Sequence, residues 1–317
     1  MKTPVLLLVF NRPELTAKCF AALRAARPER LYIAADGPRA ARLGEADRCA
    51  AVRRIATAVD WPCALKTLFR QDNLGCGRAV AEAIDWFFEN EAEGIILEDD
   101  IDPDPSFFPY CEALLERYRN DEHIAMISGF NRFGSLPQSD ASYGFTQHAC
   151  VWGWASWRRA WQHYDVRMAD WPSPAARQRV AAVLGHRRFA LQYWSDLFDQ
   201  TKSGEIDTWD YQWVFSMWMN DMVGILPAKA LITNIGFGHD ATHTFAPVAP
   251  LPPRGPMSLP LNPPPNRDTS LLDRAVETHG LAISWRSWLH GNLRKIKLLH
   301  SAVVALRNAK KQLRARL

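Results

Sequence analysis

The sequence predicts an α/β fold in which helices cover both faces of a mostly parallel sheet. Over the first 130 residues, short apolar runs alternate with helical segments at a steady rhythm, and that alternation is typical of a parallel sheet with crossover helices. In addition, the apolar run 94–97 passes directly into three adjacent carboxylates, Glu98, Asp99 and Asp100. An apolar run this short, without alternation, indicates a strand buried on both faces.

The strands and helices of this half follow one another in order. Strands are expected at residues 4–10, 30–35, 63–69, 94–98 and 124–128. Helices are expected at residues 13–23, 40–59, 78–90 and 106–120. Pro13 suits the first turn of a helix, where a backbone N–H is not needed. The glycine turn at residues 73–77 separates the third strand from the helix that follows it.

Composition limits the class of protein. The chain has 317 residues and 48% hydrophobic content, which suits one large or two small domains. No apolar stretch reaches the roughly 18 residues of a membrane span. The apolar N-terminus leads into Asn11 without a small-residue cleavage site, so we interpret it as a strand and not as a signal peptide. The six cysteines form no C-x-x-C pair, which predicts reduced thiols and a cytoplasmic location.

The acidic triplet is the strongest candidate site. At the carboxyl end of a parallel strand it would lie where open α/β sheets bind ligands. Three neighbouring carboxylates repel one another unless a cation is near, and a divalent metal that bridges a diphosphate would supply one. A solvated acidic turn remains the alternative. A calcium loop starting at Asp100 is excluded, because Pro105 and Cys111 stand where such a loop needs glycine and glutamate.

Two turns in the predicted nucleotide half carry further candidates. Gly75 precedes a helix whose first turn holds Arg78, and such a helix end can bind phosphate. A plain tight turn is the alternative, because Val80 stands where the dinucleotide fingerprint needs its third glycine. Asp36, which follows the second predicted strand, could contact a base or ribose or could form a turn.

The region downstream is rich in aromatic residues. Nine of the thirteen tryptophans lie between Trp152 and Trp218. Trp154, Trp157 and Trp161 are spaced i, i+3, i+7, which predicts one face of a helix. Core packing accounts for such residues individually, but the surplus could stack on sugar rings.

Two carboxylates lie among these aromatic residues. Asp207 and Asp210 flank Trp209. Desolvation among aromatic rings raises a carboxyl pKa, as a general base requires. Either residue could instead cap the helix that carries Trp213.

The C-terminal third changes character. The loop at residues 234–244 holds His239 and His243, which are either solvated or in contact with metal or phosphate. Residues 245–266 contain nine prolines, so they predict an extended arm. Residues 285–317 hold nine of the 38 basic residues and no acidic ones, so the rest of the chain is net negative. A basic amphipathic helix is expected there, and an anionic membrane surface is favoured over nucleic acid or a partner protein.

Several motifs together resemble a bacterial glycosyltransferase group. It is related to family 2 and similar to the N-acetylglucosaminyltransferase I type of GT-A enzymes, some of them labelled haemolysin-like. The resemblance spans roughly residues 3–245. It rests on Phe10-Asn11-Arg12-Pro13, Asp36-Gly37-Pro38, Asn73-Leu74-Gly75-Cys76-Gly77-Arg78, Leu97-Glu98-Asp99-Asp100, Val151-Trp152-Gly153-Trp154, Trp209-Asp210-Tyr211-Gln212-Trp213 and the stretch from Asn234 to His243.

This resemblance implies a metal-dependent, inverting enzyme. It would move a hexosyl or N-acetylhexosaminyl group from a nucleoside-diphosphate sugar to a glycan or glycolipid hydroxyl in surface polysaccharide synthesis. The fold implied is GT-A (Rossmann-like) over residues 1–245, with a nucleotide half to about residue 130 and an acceptor half after it. A proline-rich arm (246–283) and a basic helical tail (284–317) would follow, and the tail would place a cytoplasmic protein at the inner membrane face.

The resemblance also implies residue roles. Asp100 and His243 would bind Mn²⁺ or Mg²⁺, and Asp210, with Asp207 behind it, would be the catalytic base. The donor would contact Arg12, Asp36, Gly75, Arg78, Glu98 and Asp99, and the acceptor Trp152, Trp154 and Trp209. The alternative function is a non-catalytic, membrane-associated module that binds nucleotide or glycan, and no nucleic-acid partner is expected.

Overall fold

The computed structural model describes residues 1–134, 136, 140–237, 251–281 and 283. Its strands are, in chain order, β1 (Val5–Val9), β2 (Arg30–Ala35), β3 (Ala64–Phe69), β4 (Glu93–Glu98), β5 (Ile101–Pro103), β6 (Ile124–Ser128), β7 (Tyr143–Thr146), β8 (Trp154–Trp157), β9 (Val223–Pro227) and β10 (Ile232–Asn234). Its helices are α1 (Pro13–Ala26), α2 (Glu45–Ala56), α3 (Cys76–Asn90), α4 (Phe107–Arg117), α5 (Arg158–Trp161), α6 (Pro174–Val183), α7 (Arg188–Lys202), α8 (Asp210–Met219) and α9 (Ser270–Ala275). A π-helical turn, Val276–Gly280, continues α9.

Eight of the strands form one sheet in the order β3-β2-β1-β4-β8-β6-β9-β7. Strands β3, β2, β1 and β4 are parallel neighbours. Strand β8 runs antiparallel between β4 and β6, and β7 runs antiparallel at the edge. A two-stranded sheet of β5 and β10 lies beside it. The predicted fold class, an α/β fold with a mostly parallel sheet covered by helices on both faces, is confirmed.

The two faces of the sheet are covered by different helices. Along β1, Val5, Leu7 and Val9 belong to one core cluster, whereas Leu6 and Leu8 belong to the other. The first cluster takes its helical residues from α1, α2 and α4, and the second from α3 and α5–α8. Because both faces are buried, β1 is apolar at every position, which is why it reads as a continuous run.

The predicted helix that carried Trp154, Trp157 and Trp161 on one face is wrong. Residues 154–157 form β8, and only residues 158–161 are helical. Side chains alternate along a strand, so Trp154 and Trp157 belong to opposite core clusters. The i, i+3 spacing could not discriminate, because a strand covered on both faces needs no polar position.

Most other elements lie close to their predicted bounds, with one late start. Helix α2 begins at Glu45, five residues after the predicted position. Gly44 precedes it with φ 71°, a left-handed conformation that glycine adopts at little cost. Residues 40–44 therefore form a turn and not the first helical turn.

Part of the predicted proline-rich arm packs against the domain. Met257 N donates to Ser106 Oγ (2.8 Å), Asn262 N donates to Ser142 Oγ (2.8 Å), and Arg254 pairs with Asp102. The remaining predictions for this end concern His239, His243 and the basic tail, which lie outside the described residues. All six cysteines are free. In the described ranges, none of the helices combines the length and the apolar character needed to cross a bilayer.

Candidate active site

A cleft of about 700 Å³ lies at the carboxyl ends of β1, β2 and β4. Because these strands are parallel, the residues that follow each of them meet at one edge of the sheet. Arg12, Asp36 and the acidic triplet all line the cleft. The rest of the lining includes residues 206–211, Trp152 and Phe237. The size falls within the usual range for a small-molecule site.

Arg12 is the cation that faces the acidic triplet. It donates from Nη1 to Asp100 Oδ2 (3.0 Å) and forms an ion pair through Nη2 with Asp99 Oδ1. The other oxygen of Asp99 accepts the backbone N–H of Phe10 (3.2 Å). Burial alone would lower the Arg12 pKa, but Asp99 and Asp100 outweigh it and raise that pKa. Both oxygens of Asp99 are thus engaged within the protein, whereas the expected role was a donor contact.

The surroundings of Glu98 disfavour the charged form of its carboxyl group. Burial, together with Asp100 and Asp99, raises its pKa to about 8, with a smaller contribution from Asp210 across the cleft. Burial likewise raises the pKa of Asp99 to about 6, although Arg12 opposes this. A single guanidinium therefore does not offset the carboxylates here, and a second cation would stabilise their charged forms.

The residues at this point fit a hard divalent cation. Asp100 and Glu98 both line the cleft and present carboxylate oxygens. Gly236 lets the backbone approach Asp100 closely, because a Cβ at that position would lie 2.1 Å from Asp100 Oδ2. No three His, Cys, Asp or Glu side chains gather into a metal site within the described part of the chain. A cation would therefore take one or two carboxylates and complete its shell with diphosphate and water, as Mg²⁺ does at nucleotide sites.

Asp36 holds the turn that forms one wall of the cleft. Its carboxylate accepts the backbone N–H groups of Leu74 (3.0 Å) and Gly75 (3.2 Å) and the side-chain amide of Asn73 (2.9 Å). It also accepts the N–H of Gly37 (2.9 Å). Burial raises the Asp36 pKa, against these hydrogen bonds. Asp36 was predicted either to contact a base or ribose or to form a turn, and these hydrogen bonds show that it forms the turn.

Asp207 binds the first turn of α3. Its Oδ2 accepts Cys76 N and its Oδ1 accepts Gly77 N, each at 3.0 Å. These are the orphan N–H groups that could have bound phosphate. Neither Asp207 nor Asp210 caps α8, whose N-cap is Trp209 without a side-chain hydrogen bond. The helix end considered for phosphate thus holds a carboxylate of this chain.

Asp210 stands at the opposite wall, in the first turn of α8. Its Oδ1 accepts the hydroxyl of Thr208 and the backbone N–H of Tyr211 (3.0 Å). Its charge contributes to the raised pKa values of Glu98 and of Tyr211, for which burial is the main cause. The carboxylates of β4 and of α8 therefore face one space.

The three tryptophans predicted to contact the acceptor do not all line the cleft. Trp152 lines the cleft and contacts Phe130 (ring centroids 4.6 Å apart) and Phe237 (5.8 Å). Trp209 also lines the cleft. Trp154 is buried behind Trp209, with the two rings stacked at 5.6 Å, and does not line the cleft. Two of the three thus remain placed to meet a ligand.

The cleft is lined by Arg70 and not by Arg78, the arginine that was predicted to contact the donor. Arg78 is exposed and pairs with Glu82 along α3 (2.6 Å), outside the cleft lining. Arg70, which sequence reasoning missed, lines the cleft and pairs with the same Glu82 (3.1 Å). Arg70 directly follows β3, and the rule that placed Arg12 and Asp36 after their strands would have found it. Arg39 is also in the lining, where it pairs with the buried Glu45.

Comparison with known proteins gives a fold-level likeness. No family profile and no curated protein matches the sequence. The galactosyltransferase LgtC, in complex with donor and acceptor sugar analogues, aligns at 9% identity over 75% of this chain and 91% of its own, with a TM-score of 0.37. Mouse xyloside xylosyltransferase 1 aligns at 11% over 68% and 81%, with a TM-score of 0.33. UDP-glucose pyrophosphorylase with UDP-glucose aligns at 9% over 51% and 79%, with a TM-score of 0.32. Structural similarity at these TM-scores does not indicate a function. Any functional assignment therefore rests on the geometry of the site.

Proposed function

We propose that the chain is a glycosyltransferase that moves a sugar from a nucleoside-diphosphate sugar to a hydroxyl acceptor, with inversion. The observation that supports this most is that carboxylates from two separate elements line one cleft. Glu98 and Asp100 lie at the end of β4, and Asp210 lies in the first turn of α8. The carboxylates of β4 suit a metal-bound diphosphate, and Asp210 suits a general base.

The cofactor in this proposal is Mn²⁺ or Mg²⁺. Asp100, with Glu98 beside it, would hold the ion, while His243 stays a predicted ligand outside the described residues. When bound, such an ion offsets the negative charge that develops on a departing diphosphate. Arg12 forms ion pairs with Asp99 and Asp100 and holds both side chains in place, and its guanidinium adds positive charge at the same edge.

The chemical step is a single displacement. The Asp210 carboxylate takes the proton of the acceptor hydroxyl as that oxygen forms its bond to the anomeric carbon. The bond from this carbon to the diphosphate breaks, and the electron pair leaves with the diphosphate. Attack from the face opposite the leaving group inverts the anomeric centre. Thr208 and Tyr211 N both donate to Asp210 Oδ1, which fixes the carboxylate in one orientation.

The acceptor is assigned to the aromatic side of the cleft. Trp152, Trp209, Tyr211 and Phe237 line it there, and aromatic faces suit sugar rings. A glycan or glycolipid of surface polysaccharide synthesis fits such a wall. A hexosyl or N-acetylhexosaminyl group is the proposed cargo.

Membrane association belongs to the same proposal. Residues 284–317 carry a dense positive charge, which attracts anionic lipid headgroups. The protein would then work at the inner membrane face, near a lipid-linked acceptor. Truncation after Ala282 should abolish association with anionic liposomes, and unchanged association would refute this part.

Two variants test the activity. A thermal-shift screen of nucleotide-sugars with manganese first identifies the donor, and the product is then followed by chromatography. Asp210→Asn should abolish transfer and leave donor affinity nearly unchanged in calorimetry. Asp100→Ala should remove the manganese-dependent part of donor binding. Asp268→Asn, an exposed carboxylate outside the cleft, is the matched control and should behave as wild type. Full transfer by Asp210→Asn would move the base elsewhere, and absence of any turnover by wild type would favour the non-catalytic binding module.

A further inference from the structure

The loop before α8 is anchored to the other wall of the cleft. Asp207 accepts the N–H groups of Cys76 and Gly77 from 130 residues away in sequence. A carboxylate at a helix N-terminus is stabilised by the unpaired N–H groups and by the helix dipole. The anchor thus joins the start of α3 to the segment that leads into Asp210.

Glycines make this close approach possible. A Cβ at Gly75 would lie 2.6 Å from Asp207 Oδ2. A Cβ at Gly77 would lie 2.7 Å from Asp207 Oδ1 and 2.8 Å from the carbonyl oxygen of Thr208. Any other residue at these positions would push the loop away. Close packing against Asp207 and Thr208 therefore explains the two glycines without any phosphate binding.

Thr208 connects the anchor to Asp210. Its carbonyl accepts Gln212 Nε2 (2.7 Å), and its hydroxyl donates to Asp210 Oδ1. Gln212 is buried within α8. The backbone of Thr208 is thus held between Gly77 and Gln212, and its hydroxyl has one fixed direction.

We propose that Asp207 and Thr208 are positioning residues for Asp210: they set the place of its carboxylate relative to the donor wall by way of the first turn of α3. This inference rests on the proposed transferase function, in which Asp210 is the base. A base that is misplaced by about 1 Å loses roughly a hundredfold in rate, so its support matters as much as its identity. A purely structural role would instead lower stability and leave the rate constant of the folded enzyme unchanged.

Thr208→Val and Thr208→Ser separate these roles. Valine keeps the shape and removes the hydroxyl, so kcat should fall about tenfold or more while the donor KM stays within about twofold. Serine keeps the hydroxyl and should restore most of kcat. Thr201→Val is the matched control, because Thr201 is buried and its hydroxyl donates to Leu197 O within α7 (2.8 Å). It should leave kcat and KM as in wild type.

Asp207→Asn tests the anchor. It keeps the side-chain size and replaces one acceptor oxygen by an N–H donor, so kcat should again fall with little change in donor KM. Combined with Thr208→Val, the loss should be smaller than the product of the two single losses, because both act on the same carboxylate. Hydrogen exchange at the Cys76 and Gly77 amides should increase in this variant and not in Thr208→Val.

The outcomes distinguish this inference from the proposed function. If wild type transfers sugar and Asp210→Asn does not, but Thr208→Val retains wild-type kcat, only the positioning inference is overturned. If serine fails to restore a loss caused by valine, the hydroxyl is not the cause and the inference is also overturned. If wild type transfers nothing, both fall together. Thermal unfolding of each variant identifies any that fails to fold, and if Thr208→Val does so, Asp207→Asn carries the test, where a wild-type kcat would overturn the inference.

Discussion

Asp36 and Asp207 share the four consecutive backbone N–H groups of residues 74–77, two for each carboxylate. Asp36 comes from the end of β2, whereas Asp207 comes from the opposite wall of the cleft. Consecutive N–H groups of this kind commonly bind anionic ligands. Here two side chains of the protein occupy these N–H groups, so the turn is held in place by both carboxylates.

The first prediction concerns Asp36. Asp36→Asn replaces an acceptor oxygen by an N–H group that opposes backbone donors. We expect a loss of about 2 kcal/mol in the free energy of unfolding, measured by urea titration. Asp268→Asn is the control, because Asp268 is an exposed carboxylate that also accepts a backbone N–H, from Ser270. Equal effects of the two variants would show that Asp36 has no special role in holding the turn.

Gly236 gives a prediction for the cation site. In Gly236→Ala the new Cβ would collide with Asp100 Oδ2, so Asp100 must move. We expect manganese-dependent donor binding to weaken at least about tenfold in calorimetry, with stability changed less than binding. Gly255→Ala is the control, since nothing lies within 4 Å of a Cβ there. Wild-type binding by Gly236→Ala would argue against Asp100 as a ligand.

Glu98 makes stability depend on pH in chelator-treated protein. Its pKa is raised to about 8 in the folded state from a usual 4.5, mainly by burial and then by Asp100 and Asp99. Between these values the folded state holds a proton that the unfolded state releases. The contribution of Glu98 to stability is therefore complete below about pH 4.5 and is lost as the pH rises through about 8.

Glu98→Gln isolates this effect. The difference in unfolding free energy between wild type and Glu98→Gln should change with pH between about 5 and 8, by no more than about 1.4 kcal/mol per pH unit. Wild type should lose stability relative to the variant as pH increases. Urea titrations at several pH values with chelator measure the difference. A difference that stays constant over this range would contradict a raised Glu98 pKa.

A fourth prediction concerns the attachment of α9. Asp273 is buried and accepts the Thr146 hydroxyl (2.7 Å) and Gln147 N (2.8 Å). Asp273→Ala would leave both donors without this partner, at a cost of about 1–3 kcal/mol. Hydrogen exchange across residues 270–277 should accelerate. The exposed Arg274, one residue along the same helix, provides the control Arg274→Ala, and equal protection in both variants would argue against the Asp273 attachment.

A second contact supports the same segment. Glu277 is buried and pairs with Arg187 and, at 3.4 Å, with His148 Nε2. Burial alone would raise the Glu277 pKa, but His148 and Arg187 lower it. Together with Asp273, these contacts attach the C-terminal part of the predicted 246–283 arm to the domain.

The nucleotide half of the fold was predictable because its elements are locally encoded. Strands β2 and β6 match their predicted bounds, and β1, β3 and β4 deviate by one residue at either end. Strands β1, β2, β4 and β6 are short apolar runs next to Gly, Pro or Asp and are buried on both faces, whereas β3 is a largely exposed edge strand. The acidic end of β4 was also predictable, since parallel topology alone brings strand ends together.

The contacts between distant segments were not predictable. Nothing near Asp207 in sequence indicates the α3 amides that it binds, and Trp154 appears helical in spacing although it lies in β8. Both features depend on contacts between segments that are far apart in the sequence. A single sequence carries no local signal for such contacts. Arg70, by contrast, needed only the strand-end rule that had already placed Asp36.

The position of β8 has a consequence for how the chain is made. Strand β4 has β1 on one side and β8 on the other, and β8 separates it from β6. While the ribosome has delivered only the first 150 residues, β4 therefore exposes one hydrogen-bonding edge in the middle of what becomes the sheet. Open edges of this kind invite pairing between chains. Neither half can be cut out as a stable unit, and nascent or truncated chains that end before Trp154 should be the forms that aggregate.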